Sequence, residues 1–455
     1  MGAWSITNSS SVINSRRIDG EFYLPTYLEN ESLLSKLKTK QLPQLFDVSD
    51  GNHLSVSRHF IQSEGVPYYR GQDINDFFIE NASPVRIPEA IFSTGMMRRS
   101  HFRNGDVRLS IVGTIGSLSL VPFALGNATG SCKIAILRPK GECSGAFLSA
   151  FLLCKYGQLQ IHRNTRGAVQ MGLILKDLSH IRIPSISENA RNEVTAMIDK
   201  ALEANSTSRS HFKQANHLLD DELGLDKLTF QKPVGYIARF SNLETSHRSD
   251  AQHYQPRFKQ LIDHILSFPS ARVRDIRTIN RRGLQPIYAG GGQVDVVNSQ
   301  HLGAKHIDYE GLEKTGTAAF AAALEAHIQQ DDLLIYTTGA YIGRTNVYLS
   351  GAPAMASNHV NILRLKPGID AAYMALVFQS IVGQFQTQQH SRGSAQAELY
   401  PSDIDRFVVP LLNIDKQKAI GDLVRESLVK QQESRKLLEQ AKTRVEQLIE
   451  EAIHP

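Results

Sequence analysis

The segment RRIDGEFYLPTY, residues 16–27, returns later in the chain as HRSDAQHYQPRF, residues 247–258. Four matches at one displacement are unlikely to arise by chance, so the chain is predicted to contain two copies of one unit. A repeat of this kind decides the architecture before any helix or strand is assigned. The matched residues, each displaced by 231 positions, are Arg17, Asp19, Tyr23 and Pro25, which return as Arg248, Asp250, Tyr254 and Pro256.

Three further pairs of segments extend the repeat at a displacement of 226, so the second copy is five residues shorter near its start. Each copy is predicted to be mixed α/β, with short strands such as 106–112 and 133–137 between glycine turns. The pairs are NGDVRLSIVGTIG (104–116) with DDLLIYTTGAYIG (331–343, one residue inserted before its second glycine), SCKIAILRP (131–139) with SNHVNILRL (357–365), and TRGAVQMGLILKDLSHIRIP (165–184) with SRGSAQAELYPSDIDRFVVP (391–410).

Each copy is predicted to end in a long helix, from Pro184 to about Gly224 and from Pro410 to about Ile453. Gly224 is a plausible C-terminal cap. Two narrow apolar seams in one chain favour an antiparallel coiled coil. The polar middle of both seams is either a register device or, as we favour, a solvated stretch. The heptad positions are Val194, Ile198, Ala201, Asn205, Ser208, Phe212, Ala215 and Leu219, matched by Ile420, Val424, Ser427, Gln431, Ser434, Leu438, Ala441 and Val445.

The predicted fold class is therefore α+β, with two mixed α/β domains that are each followed by a long helix. We expect domains at residues 1–185 and 226–411, and helices at 186–225 and 412–455. The length of 455 residues fits two domains, and a composition with 41% hydrophobic residues is enough for two cores.

The three cysteines, Cys132, Cys143 and Cys154, are too few for a disulfide framework, which favours a reducing cytoplasm. The opening residues MGAWSITNSS lack an export signal. The alanine-rich apolar stretch at 318–324 is too short to cross a membrane. We therefore expect a cytoplasmic protein.

The net charge is +5, which alone is weak support for a nucleic-acid partner. Its distribution is more informative. Residues 187–224 carry four basic and seven acidic side chains, and residues 413–453 carry eight of each. Residues 1–186 carry 20 basic and 14 acidic side chains, so a positive face is expected there.

The order of domain, long helix, domain, long helix resembles Type I restriction-modification specificity subunits. The glycine strand at 104–116, the loops RGAVQ (166–170) and RGSAQ (392–396), and the proline before each helix carry the resemblance, which covers nearly the whole chain. The helix openings PSISENARNEV and PLLNIDKQKAI depart from the Pro-Pro-Leu and Glu-Gln pattern of the family.

This resemblance implies a DNA reader with two target recognition domains, each reading half of a split target, with the paired helices as a ruler. It also implies two methyltransferase subunits as partners and a separate translocase-nuclease subunit that joins them. No cofactor is expected in this chain. The methyltransferase would use S-adenosylmethionine, and the translocase would use ATP and Mg.

The strings that catalysis would require are missing, which predicts that the chain is not an enzyme. It has no Asn or Asp followed by two prolines and an aromatic residue, and no G-x-x-x-x-G-K-[ST] phosphate loop. AGGGQVD, residues 289–295, reads as a turn before a strand. No His/Cys cluster has metal-ligand spacing. Scattered residues of a nuclease site would escape such a search.

The candidate DNA contacts are arginines, whose planar fork binds guanine or clamps a phosphate. The RR pairs 98–99 and 281–282 lie in the least similar parts of the repeat, where the second pair is predicted to occupy the region comparable to the first. Solvated charge is their alternative reading. Arg108 lies on a predicted strand, where a structural role is favoured. The predicted DNA-binding set is Arg98, Arg99, Arg103, Arg163, Arg166, Arg281, Arg282, Arg344 and Arg392.

Residues matched between the copies are predicted to serve the architecture rather than the reading of different bases. Arg166 and Arg392 should hold a loop or touch a phosphate. The Arg17–Asp19 and Arg248–Asp250 pairs should anchor each domain, or else face a partner that sees both copies alike. The glycines at 113, 116, 339 and 343 are read as tight-turn or close-packing positions.

Three other functions remain open at this point. The chain could serve a fused nuclease-methyltransferase or another phage-defence modification system. It could be a coiled-coil scaffold that binds protein, because its helices are neutral to acidic. The least favoured reading is a DNA reader with a cryptic nuclease site.

Overall fold

The computed structural model describes residues 5–7, 9–62, 64–79, 84–122, 125–167, 171–230, 233–393 and 396–454. The chain divides into two units, and each unit joins one repeat copy to part of both long helices. The first unit comprises Met1–Ser206 and Gln431–Pro455, and the second comprises Thr207–Lys430.

The first repeat copy consists of short helices and strands and leads into the first long helix. Its helices are α1 (Ser9–Ser15), α2 (Pro25–Ser35), α3 (Leu42–Leu45), α4 (Glu89–Phe92), α5 (Gly145–Leu153), α6 (Lys155–Arg163), α7 (Leu175–Leu178) and the long α8 (Glu188–Leu223). Its strands are β1 (Thr39–Gln41), β2 (Phe46–Asp50), β3 (Val66–Tyr69), β4 (Val85–Ile87), β5 (Val107–Ser110), β6 (Leu118–Leu120), β7 (Thr129–Gly130), β8 (Ile134–Pro139) and β9 (Arg182–Pro184).

These strands form a four-stranded antiparallel sheet in the order β2-β8-β5-β6, a three-stranded sheet β4-β3-β7, and the pair β1-β9. Alternate side chains of β8 enter two different cores, because successive residues of a strand face opposite sides of a sheet. Ala135 and Leu137 pack with α5, whereas Ile134 and Ile136 pack with Tyr69 and Phe102. The apolar run of this strand is thus buried on both faces.

The second copy contains the same kinds of elements in the same order, with one additional short strand, β14, at the edge of its second sheet. Its helices are α9 (Phe240–Ser246), α10 (Pro256–Ile265), α11 (Val273–Ile276), α12 (Thr317–Ala322), α13 (Ala371–Gln379), α14 (Ile381–His390), α15 (Pro401–Ile404) and the long α16 (Ile414–Ile453). Its strands are β10 (Ser270–Arg272), β11 (Arg277–Arg282), β12 (Val294–Val297), β13 (Glu313–Thr315), β14 (His327–Ile328), β15 (Leu333–Tyr336), β16 (Thr345–Val347), β17 (Ala354–Ala356), β18 (Val360–Leu365) and β19 (Val408–Pro410).

The sheets of the second unit confirm the predicted repeat, since their orders are β11-β18-β15-β16, β13-β12-β17-β14 and β10-β19. Even the pairing register is repeated: Val107 faces Leu137 in the first unit, and Leu333 faces Leu363 in the second. Both residues of the pair move by the same 226 positions. The α+β fold class follows from this duplicated architecture.

Ion pairs that are matched between the two copies anchor each copy in the same way. Arg17 pairs with Asp19 and donates to the carbonyl of Thr165 at 2.8 Å. Arg248 pairs with Asp250 and donates to the carbonyl of Ser391 at 3.0 Å. The contacts agree with the predicted anchoring role for the first motif of the repeat.

The two long helices begin and end close to the predicted positions. Helix α8 spans 36 residues and is followed by Gly224 in a left-handed conformation with φ of 59°, which suits a glycine cap. Helix α16 spans 40 residues. Of the sixteen heptad positions fifteen are buried, and Phe212 is half-buried.

Within each unit the two helices run antiparallel. In the second unit, contacts from successive residues of α8 reach earlier and earlier residues of α16. They join Ser208 to Ser427, His211 to Glu426 at 3.4 Å, and Glu222 to Lys416. In the first unit Arg444 lies 3.3 Å from Glu193, at the same pairing register.

The polar middle of the seam is buried, contrary to the solvated stretch that we favoured from the sequence. Asn205, Ser208, Ser427, Gln431 and Ser434 are all buried. The hydroxyl of Ser208 donates to the carbonyl of Ser427 at 2.7 Å, and the hydroxyl of Ser427 donates back to the carbonyl of Ser208 at 2.8 Å. Across the described residues, no helix is long and apolar enough to cross a membrane.

Candidate nucleic-acid interface

A short segment of the first unit presents three of the predicted arginines. It forms a 3-10 turn at Arg98–Ser100, and Arg98, Arg99 and Arg103 are exposed. Met97 and Phe102, which interleave with them, are buried at 1% and 8% exposure. The apolar side chains therefore fix the segment, while the guanidinium groups remain available to a ligand.

The two neighbouring arginines differ in their local electrostatics. Arg99 forms an ion pair with Asp50, the last residue of β2, although its side chain remains 61% exposed. His53 lies 2.5 Å from the same carboxylate. Among the described residues, Arg98 has no ion-pair partner. Arg98 is thus the arginine of this turn whose charge no described carboxylate offsets.

The prediction that Arg281 and Arg282 occupy the place of Arg98 and Arg99 in the second copy is wrong. Arg281 pairs with Ile362 across β11 and β18, as Ser49 pairs with Ile136 across β2 and β8. Arg282 is therefore the counterpart of Asp50 and not of an arginine. Both copies nevertheless place an arginine at this end of the strand: Arg282 lies on β11 itself, and Arg99 lies against Asp50 at the equivalent position of β2.

The true counterpart of the arginine turn is a 3-10 turn at Leu324–Ala326. An aromatic stack identifies it: Phe92 and His101 lie 3.7 Å apart in the first unit, and Phe320 and His327 lie 3.8 Å apart in the second. The turn and its histidine keep the displacement of 226, and only the stacked phenylalanine is shifted, to 228. The exposed residues at the positions of Arg98, Arg99 and Arg103 are Leu324, Glu325 and Gln329.

Arg282 belongs to a charged cluster at the end of β11. It donates to Glu398 at 2.8 Å and lies 4.9 Å from the ring of Tyr400. Hydrogen bonds from Tyr400 and Arg282 lower the pKa of Glu398, so its negative charge offsets the arginine at neutral pH. Arg281 is half-buried, and its Nε has no acceptor in the part of the chain that the structure describes.

Arg166 and Arg392 hold equivalent loops. Arg166 bonds Asp177 through two nitrogens at 2.6 and 2.7 Å, and Arg392 donates to Asp403 at 2.7 Å. Both carboxylates are buried, whereas the arginine side chains are 43% and 44% exposed. The hydrogen bond to Asp177 also raises the pKa of Arg166. Residues 168–170 and 394–395, which complete the predicted loop motifs, lie outside the described residues.

Arg163 and Arg344 are engaged in internal contacts. Arg163 is 13% exposed, pairs with Glu31 at 2.7 Å and donates to the carbonyl of Phe22 at 3.1 Å. Arg344 stacks on Tyr341 at 3.7 Å. Whether these and the other predicted arginines touch DNA stays a prediction.

Other exposed cations of the first unit escaped the sequence analysis. Arg58 and Arg86 are exposed; Arg86, in β4, is the bridge partner of Ile61, and Arg58 lies three residues before Ile61. The arginine turn meets the opposite edge of the same small sheet, because His101 bridges to Thr129. Isolated arginines carry no pattern, so only the folded sheet shows that they belong together.

The described residues contain no group of three or more His, Cys, Asp or Glu side chains that could hold a metal ion. The AGGGQVD segment forms a turn before β12, as predicted. The three cysteines are free thiols, and burial raises the pKa of Cys143 and Cys154 to about 12.

No protein-family model and no curated protein sequence matches the chain. Among solved structures, the Type I restriction-modification S subunit from M. genitalium is similar at 14% identity and a TM-score of 0.47, over 91% of this chain and 95% of that one. The HsdS subunit from Thermoanaerobacter tengcongensis is similar at 13% identity and a TM-score of 0.29, over 91% and 96%. The type IIG restriction endonuclease BpuSI is similar at 13% identity and a TM-score of 0.30, over 42% of this chain and 30% of its own. At such values the function has to follow from this chain's own residues.

Proposed function

We propose that this chain is a non-catalytic DNA-reading subunit of a Type I-like restriction-modification complex. One observation carries the proposal: two copies of one fold expose chemically different side chains at the same turn. The first copy presents Arg98, Arg99 and Arg103 where the second presents Leu324, Glu325 and Gln329. Different side chains on a common scaffold suit the recognition of two unrelated half-sites.

The charged residues that the two copies share form internal ion pairs, which supports a structural role for them and a reading role for the residues that differ. Arg138 bonds Asp106 at 2.7 Å, and Arg364 bonds Asp332 in the second copy at 2.7 Å. Both carboxylates are fully buried. Shared residues would thus build the reader, and variable exposed residues would determine the sequence that it reads.

The partners are inferred from the resemblance in domain order. Two methyltransferase subunits, which would carry S-adenosylmethionine, are proposed to bind this chain, and an ATP- and Mg-dependent translocase-nuclease is proposed to join them. The long helices would serve as a ruler between half-sites, since a helix of 36 residues is about 54 Å long.

The decisive experiment is to co-express the chain with the methyltransferase encoded beside it and to map the methylated bases of the host DNA. We expect a split motif whose two half-sites differ in sequence. A continuous or palindromic motif would contradict the proposal. A methyltransferase domain that also carries the nuclease would instead identify the fused type of system.

Two rival functions give different results in simple assays. A coiled-coil scaffold would leave duplex DNA unretarded in every reconstituted complex, even at low salt. A cryptic nuclease would cleave DNA in the presence of magnesium without any partner subunit.

A further inference from the structure

A cavity of about 370 Å³ lies in the first unit and is lined mainly by polar and charged side chains. Helices α2 and α6 and strand β9 contribute to its wall. The residues that matter for its chemistry are Arg17, Asn30, Glu31, Arg163, Arg166 and Arg182. The DNA-reading function uses only two of these residues as candidates, so the cavity needs its own explanation.

Two buried polar atoms of the lining lack partners among the described residues. The Arg17 side chain is 6% exposed, and its Nη1 has no acceptor, although Nε and Nη2 bond Asp19. The Oδ1 of Asn30, a residue that is 3% exposed, has no donor. A buried polar group without a partner is energetically costly, so a ligand that supplies the partner binds more tightly.

The second unit shows that the fold does not require these orphan groups. Arg248, the counterpart of Arg17, uses its Nη1 to donate to the carbonyl of His390 at 2.9 Å. The polar lining is also replaced by apolar residues that pack in the core. Asn30, Glu31 and Arg182 correspond to Leu261, Ile262 and Val408.

The charges of the lining favour an anion. Arg17 and Arg163 both lie over the ring of Phe22, at 4.7 and 4.3 Å from its centroid. The four arginines face three carboxylates that pair with them, those of Asp19, Glu31 and Asp177, which leaves one positive charge in excess.

We propose that this cavity binds the phosphate group of a small molecule, either free phosphate or a phosphate ester. The guanidinium groups come from separate segments of the chain, so together they offer donors to more than one oxygen of a phosphate group. A hydroxyl on the phosphate or on its ester group supplies the donor that Asn30 lacks. Phosphate binding is measured without DNA, so a failure of this proposal is distinguishable from a failure of the proposed DNA reading.

Titration calorimetry of the full chain with inorganic phosphate, and separately with AMP, at constant ionic strength tests the proposal. Arg182→Val installs the residue of the second copy and is expected to weaken binding about tenfold. Glu31→Gln removes the negative charge of the lining and is expected to tighten binding about threefold. Lys36→Val, which removes an exposed charge at the end of α2, is the control and should change affinity less than about twofold.

Equal affinity for phosphate and AMP would identify the phosphate alone as the recognised group, and tighter AMP binding would identify an ester. Either result supports the site if the two lining variants shift in opposite directions. The proposal is overturned if no saturable binding occurs, or if Arg182→Val binds phosphate as the native chain does. Loss of duplex-DNA affinity in Arg182→Val without any phosphate or AMP binding would also overturn it, since the cavity would then serve the DNA backbone.

Discussion

Arg98 and Arg99 lie on one turn, but only Arg99 has a carboxylate beside it. The Asp50 side chain, 10% exposed, offsets part of the charge of Arg99 and fixes its direction. Arg98 is free of such a constraint within the described residues and can reach a base edge or a phosphate. Neighbouring arginines of one motif therefore have different expected roles.

Replacing Arg98 with alanine is expected to weaken DNA binding by the methyltransferase complex by about 1–3 kcal/mol if the side chain contacts a base. A base contact would also relax the first half-site and leave the salt dependence nearly unchanged. A phosphate contact would weaken all sequences alike and reduce the salt slope by about one. Fluorescence anisotropy at several salt concentrations separates these outcomes.

Leu324→Ala is the matched control for Arg98→Ala, because it truncates the equivalent position of the second copy. It should leave the first half-site unchanged. Native affinity and native specificity in Arg98→Ala would remove this residue from the interface.

Arg108 in the first unit is fully buried, and it forms no ion pair with any residue that the structure describes. Its Nη2 donates to the carbonyl of Leu120 at 3.2 Å, while Nε and Nη1 have no acceptor among the described residues. Its guanidinium lies 5.0 Å from the ring of Tyr69. Burial lowers the pKa of Arg108 to about 10. The second copy has Leu334 at the same register position.

Arg108→Leu is expected to raise the free energy of unfolding by about 1–3 kcal/mol, since it removes a buried charge that lacks full compensation. The pKa of Arg108 is lower in the folded state than in the unfolded state. The free-energy cost of burying its charge is therefore fully present at neutral pH and shrinks as the pH rises from about 10. Urea denaturation at pH 7.5 measures the difference. Leu334→Val should instead lower the free energy of unfolding by about 1 kcal/mol, because it creates a small cavity. If Arg108→Leu were less stable than the native chain, the contacts of Arg108 with the aromatic rings would stabilise the fold by more than burial of its charge costs.

At the level of elements, the long helices are the most regular feature of the chain. Their seam repeats every seven residues, and the reciprocal hydrogen bonds between Ser208 and Ser427 occupy the polar layer in the second unit. Polar groups in such a layer are satisfied only in one alignment of the helices. The pairing register is therefore expected to be specific.

Removing residues 202–208 together with residues 427–433 takes one heptad from each helix and keeps the remaining layers matched. Because seven residues of helix span about 10.5 Å, the spacer between the half-sites is expected to shorten by about three base pairs. Methylation mapping of the variant complex measures the spacer. A spacer of native length would contradict the ruler function.

Removing residues 202–208 alone is the control for the double deletion. It leaves the layers mismatched on one side and should weaken both the fold and DNA binding. Circular dichroism and thermal unfolding would confirm that the double deletion, in contrast, keeps its helices.

The strands were harder to predict than the helices. The counterpart of the arginine turn keeps the displacement of 226 that aligns the glycine strands, but it carries no arginine, so the RR pair at 281–282 was the misleading match. The aromatic stack beside the turn forms only when the segment folds back on the small sheet. Arg281 and Arg282, which looked equivalent in the sequence, lie on a different element.

At the level of the whole molecule, duplication supplies two scaffolds with separate cores and different exposed side chains. The separate cores predict that each domain can be exchanged without disturbing the other. The first unit has its main core around α5, and the second has its own around α13.

Replacing residues 1–185 with a second copy of residues 226–411 is expected to give a complex that methylates a target with two equivalent half-sites. Only the half-site read by the first domain should change, since the second domain is untouched. Mapping of methylated bases is again the measurement. Retention of the native motif, or a change in both halves, would contradict independent reading by the two domains.

The sequence by itself determined the duplication, the long helices and the glycine that ends the first of them. These features depend on local periodicity and on backbone conformation, which neighbouring residues specify. Only the tertiary structure decided which arginines are free, because Asp50 and Arg99 lie 49 residues apart and meet through packing. The same holds for the cavity around Arg17, where an N–H that is satisfied in the second copy has no partner among the described residues of the first.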